Sequence, residues 1–90
     1  MDIYSDVVNE ILNNKNKPRG TAWIGFKNLV LYTEKYRIEG TERYSIGTMK
    51  PRYTYSATVT NQITKETINF DGHQSKGIYE ILVRSMTRER

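Results

Sequence analysis

The chain contains no cysteine, which removes disulfide frameworks, thiolate metal sites and thiol nucleophiles together. Histidine occurs once, at His73, and no second histidine or Asp-x-Asp loop accompanies it, so neither a metal centre nor a cofactor is expected. A lone histidine after Asp71-Gly72 reads first as a solvated turn residue, with a phosphate contact as the sharper alternative. Hydrophobic runs are short. The longest, Leu29 to Tyr32, falls far below the roughly 20 residues of a membrane helix, and no charged-then-apolar leader is seen, so a cytoplasmic protein without membrane contact is expected. Glycine-rich phosphate loops and Gly-x-Ser-x-Gly elbows are missing, and the glycines at 20, 25, 40, 47, 72 and 77 read as turns. With no nucleophile beside a base, the expectation is a protein that binds and does not catalyse.

What is present fits one small domain, residues 1–90. Fourteen Lys and Arg against ten Asp and Glu leave a charge of +4 and bias the surface toward anionic partners. Nine Ile and seven each of Asn, Lys and Tyr, against alanine only at Ala22 and Ala57, suggest AT-rich codons and so a low-GC bacterium or its phage.

Ile3, Val7, Val8, Ile11 and Leu12 make one stripe at helical period, predicting an amphipathic helix over Asp2 to Asn16 capped by Asp2 or Ser5. Asn13 to Gly20 reads as a basic loop around Pro18. Thr21 to Ile38 has both helical spacing and strand composition, and its β-branched and aromatic content favours strands. Glu39 to Glu42 reads as a turn, and Arg43 to Thr48 as a short strand. From Tyr53 to Thr60 apolar and hydroxyl residues alternate, the pattern of a strand with one buried face; after a reversal at Asn61 to Lys65, Ile68 and Phe70 resume it. Ser75 is placed to cap a helix from about Lys76 to Thr87, with Ile78, Ile81, Leu82 and Ser85 on its inner face. These elements predict an α+β fold: an antiparallel sheet of three to five strands with an N-terminal and a C-terminal helix packed on one face.

Gly77-Ile78-Tyr79 copies the first half of the GIY-YIG nuclease signature and Trp23-Ile24-Gly25 loosely matches the second, but the order is reversed and the nuclease reading is rejected. The order helix, strands, helix, with Ser75-Lys76 opening the last helix, resembles a double-stranded RNA-binding domain, which implies phosphate contacts near Lys76; the lysine run and alanine-rich helix of that family are missing. The strands with a helix also look like the sheet modules that insert into the DNA major groove.

Basic and aromatic residues recur together, at Lys35-Tyr36-Arg37, Arg43-Tyr44 and Lys50 to Tyr55, the mixture that holds phosphates and stacks bases of single-stranded nucleic acid. Tyr53 and Tyr55 share a face with Ala57 and Val59 and so read first as core wall, with a stacking platform as the second reading. Candidate binding residues are Lys15, Lys17 and Arg19 in the loop, Lys50 and Arg52 flanking Pro51, and Lys76; the first five are expected to gather at one end of the sheet. The leading expectation is a protein engaging nucleic acid or a nucleoprotein complex through a positively charged sheet face and loop. The alternative is a protein-directed inhibitor or adaptor of phage type, acting on a host protein by an edge strand or aromatic patch.

Overall fold

Asp2 sits in extended conformation and its carboxylate accepts from the Tyr4 backbone N–H at 3.1 Å, so the first helix, α1 (Ile3–Asn13), starts at an N-cap. It ends where Asn14 returns to extended backbone, three residues short of the predicted end, because Asn14 and Pro18 favour loop geometry. In this computed structural model, which describes residues 2–45 and 52–87, five strands follow: β1 (Arg19–Trp23), β2 (Phe26–Tyr32), β3 (Tyr36–Tyr44), β4 (Tyr53–Asn61) and β5 (Thr67–Phe70). The closing helix is α2 (Gly72–Thr87). The ambiguous Thr21 to Ile38 stretch is strand, as its composition favours.

Each strand pairs antiparallel with the next, giving the sheet order β1-β2-β3-β4-β5. Short connections impose this neighbour pairing. Ile24-Gly25 closes the first hairpin with Gly25 at φ +76°, and Lys65 adopts φ +69° in the reversal between β4 and β5. Rows of partners run across the sheet, among them Gly20, Leu29, Gly40, Ala57 and Phe70, then Leu31, Ile38, Val59 and Ile68. Those rows hold most of the buried apolar residues contributed by the strands.

Both helices lie on this side. α2 crosses β4, β3 and β2 with Ile78, Tyr79, Leu82 and Ser85 inward, and α1 packs beside it through Val7 and Ile11. Full burial of such aliphatic side chains stabilises by about 1.5–3 kcal/mol each. α1 is also pinned at its rim: the Tyr36 hydroxyl donates to Asp6 Oδ2, and Lys35 Nζ reaches the same oxygen at 2.9 Å.

Two sequence expectations are corrected. Glu39 to Glu42 is the middle of β3, and not a turn. Gly40 is there for close approach: a Cβ at this position would stand 2.9 Å from Leu82 Cδ1 and 3.4 Å from Tyr79 Cα, so the missing side chain is what lets α2 lie flat on the strand. Ser75 does not cap α2, which begins one turn earlier at Gly72. The serine is buried instead, its hydroxyl placed between the carbonyls of Gly72 (2.8 Å) and Tyr55 (3.2 Å), tying the helix to β4. Of the expected Arg43 to Thr48 strand, Arg43 and Tyr44 end β3, and residues 46–48 lie outside the described residues.

Candidate nucleic-acid interface

Because side chains alternate across a strand, residues between the core positions point away from the helices. Register then sets them in four rows on the uncovered face: Trp23, Phe26, Arg43 and Thr54; Thr21, Asn28, Thr41 and Ser56; Arg19, Val30, Glu39, Thr58 and Asn69; Tyr32, Arg37, Thr60 and Thr67. Among the described residues no helix covers this side.

Aromatic and cationic groups concentrate at two ends of β2. At one, the Trp23 and Phe26 rings lie 5.0 Å apart and the Arg43 guanidinium stands 5.3 Å from the Phe26 centroid. At the other, Arg37 lies 5.8 Å from the Tyr32 ring and its Nε donates to the Tyr32 hydroxyl at 3.2 Å. Trp23 is 66% exposed and Tyr32 52%, so both rings offer a free surface. Tyr32 lies six residue steps along the strand from Phe26, about 20 Å.

Beside Tyr32 the α1–β1 loop folds over the sheet edge. Asn16, Lys17, Arg19, Val30 and Tyr32 line an open groove of about 530 Å³, bringing two of the expected binding residues next to an exposed ring. Positive charge predominates on the face: among the described strand residues there the cations are Arg19, Arg37 and Arg43, and Glu39 is the one carboxylate. Glu39 is engaged, accepting from Asn28 Nδ2 at 3.2 Å and facing Arg37 at 3.8 Å. Thr41 donates to Asn28 Oδ1 at 2.7 Å and Thr58 to Asn69 Oδ1 at 3.1 Å, which leaves a hydrogen-bonded polar floor between the aromatic ends.

The remaining candidates do not join this surface. Arg52 precedes β4 and its carbonyl accepts from the Ser45 N–H, whereas Arg19 stands in the row of Thr58; the two levels are six residue steps apart, about 20 Å. The single cationic end expected from the sequence is therefore split, with Lys17 and Arg19 at one end and Arg52 at the other. Lys50 lies outside the described residues. Lys15 borders a recess shared with Glu10 and Glu34, where carboxylates offset it. Lys76 is on the helix side, its Nζ 6.0 Å from the Tyr55 ring. His73 is exposed in the first turn of α2.

The tyrosines that drew attention in the sequence have other work. Tyr36 is buried with its hydroxyl on Asp6, and the Tyr55 hydroxyl donates to Glu42 at 3.0 Å; burial and that bond push its pKa up to about 12. Tyr53 pairs with Tyr44 at 4.8 Å on the helix side. The rings free to stack, Trp23 and Tyr32, were legible only as strand residues of unknown face. No periodicity in β2 marks its exposed face, because Phe26, Val30 and Tyr32 alternate with Leu29 and Leu31 and both sets are apolar.

Among the described residues no group of three or more His, Asp and Glu side chains could hold a metal ion, and no helix is long and apolar enough to cross a membrane. Compared with family models, curated proteins and solved structures, the chain matches none.

Proposed function

We propose that the protein binds single-stranded nucleic acid on the uncovered sheet face. The observation that carries this reading is the pairing, at each end of β2, of an exposed aromatic ring with arginine on a face whose one carboxylate is already engaged. Unpaired bases stack on such rings or on guanidinium planes, and Lys17, Arg19, Arg37 and Arg43 are within reach of phosphates running between them. A span of about 20 Å suits a few nucleotides, with the threonine and asparagine floor supplying hydrogen bonds to sugars and base edges. A duplex keeps its base faces stacked internally and so gains little from Trp23 and Tyr32. The low-GC bacterial or phage origin belongs to the same proposal, as does action within a nucleoprotein complex.

Trp23 is the sole tryptophan, which makes the test direct. Titration with a mixed-sequence single-stranded oligonucleotide should quench its fluorescence, with a duplex of the same sequence competing poorly. Four phosphate contacts predict a log-log salt slope of about −3 between roughly 50 and 200 mM salt. Absence of quenching and of any salt-sensitive binding would overturn the reading and favour the protein-directed inhibitor.

A further inference from the structure

The two edges of the sheet are unlike each other. β5 is a four-residue strand bounded by Lys65-Glu66 and Asp71, charges that discourage further pairing. β1 is exposed along all five residues, and past Arg19 its sequence Gly20-Thr21-Ala22-Trp23 contains no charge or proline, and none of its residues has positive φ. Along Gly20 to Trp23 it lacks the charge, proline and bulge by which edge strands usually avoid partners.

The hairpin fixes which backbone groups of β1 are free. Trp23 opposite Phe26 closes a two-residue turn and is thus a hydrogen-bonded pair; alternation then aims the N–H and C=O of Arg19, Thr21 and Trp23 at β2, and those of Gly20 and Ala22 outward. A second β1 laid antiparallel with Thr21 on the two-fold axis sets Gly20 against Ala22 of the second copy, and all four outward groups of each copy are then used. Shifting the axis to Gly20 would place Ala22 against Pro18, which has no N–H to donate.

Side chains agree with that register. On the uncovered face it sets Arg19 opposite Trp23 of the second copy, a cation over an indole, with no like charges opposed. On the helix side, Gly20 and Ala22 floor a largely apolar groove of about 370 Å³, walled by Leu29, Tyr79, Val83 and Met86 with Lys27 at its border. Val83 and Met86 are each 38% exposed, and pairing across β1 joins this groove to its counterpart, giving both side chains apolar neighbours. We infer that the protein forms a two-fold dimer through β1, centred on Thr21, in which two five-stranded sheets become one. Trp23 of one copy then borders the Arg19 groove of the other, and the two uncovered faces are continuous. The inference stands on the edge geometry and not on nucleic-acid binding.

The experiment needs no ligand. Sedimentation equilibrium at about 100 µM, well above a micromolar dissociation constant, should give twice the chain mass of 10.6 kDa. Ala22→Pro removes an outward N–H that serves no bond within the chain and should raise the dissociation constant about tenfold or more, with circular dichroism unchanged. Met86→Lys sets a cation beside Lys27 at the seam and should weaken the dimer with β1 itself intact. Because the chain has no cysteine, Thr21→Cys reports the register: under mild oxidation it should give a disulfide-linked dimer, whereas Arg19→Cys, about 13 Å from its counterpart in this register, should not. A wild-type monomer at that concentration overturns the inference. Equal cross-linking at 19 and 21, or a dimer indifferent to both Ala22→Pro and Met86→Lys, overturns the placement.

Discussion

The two faces of one sheet follow the same register yet obey different rules. On the helix side the central rows are closed by a partner above them: Gly40 under Leu82, Tyr55 against Tyr79, Phe70 against Tyr4. On the uncovered side the rows of Arg19, Thr21 and Trp23 end in solvent, and the contacts that exist run along the face, guanidinium to ring and hydroxyl to amide. Interior packing penalises any change in volume; a solvated face penalises few changes. Chemistry on the uncovered face is thus free to serve a ligand, and its residues need not agree with the core.

The contrast breaks most readily from the covered side. Leu82→Ala should lose about 2–5 kcal/mol of unfolding free energy in chemical denaturation, since Leu82 is fully buried between α2 and Gly40. Gly40→Val tests the same contact by overfilling, with an expected loss of about 1–3 kcal/mol because the Tyr79 backbone cannot retreat as a side-chain end can. Losses within about 0.5 kcal/mol for both would show that α2 does not rest on β3 as described.

Opposite variants should separate binding from stability. Trp23→Ala and Tyr32→Ala should each weaken single-strand affinity by about 1–3 kcal/mol and leave the melting temperature nearly unchanged. A matching loss of stability would mean that the uncovered face is structural after all.

Proton linkage distinguishes the covered side further. The hydrogen bond from Tyr36, then that from Lys35, holds the Asp6 carboxyl below its ordinary range. The unfolded chain therefore binds the proton more readily, and stability rises with pH through the carboxylate range and is lost as pH falls below about 4. Asp6→Asn should flatten that acid limb of a pH series of melting temperatures. Tyr55 acts at the other extreme: with its folded pKa at about 12 and an unfolded value of about 10, it contributes stability below pH 10 that is lost as pH rises toward 12. Smallest of all, Thr58→Val on the uncovered face should change stability by no more than about 0.5 kcal/mol.

Periodicity in the chain determined much of this. The alternation from Tyr53 to Phe70 and the stripes Val7-Ile11 and Ile78-Leu82-Ser85 each name their own inner face, because a repeat of 2 or 3.6 leaves few ways to bury the apolar residues. The α+β architecture follows from them. Glycine was the weak point of local reading: Gly25 is a turn, whereas Gly40 and Gly77 are places where Leu82 and the Tyr4 hydroxyl come too close for a Cβ, and the sequence carries the same letter for both uses. In β2 both sets of alternate residues hold apolar groups, so Phe26 and Tyr32 could not be told from Leu29 and Leu31 until α2 chose one side. The cation site depended on register as well. Lys17, Arg19 and Arg52 look equivalent as basic residues near strand ends, but which end each occupies is set by pairing between distant segments, through Arg19 with Val30 and Tyr53 with Tyr44, and that pairing is a property of the folded sheet alone.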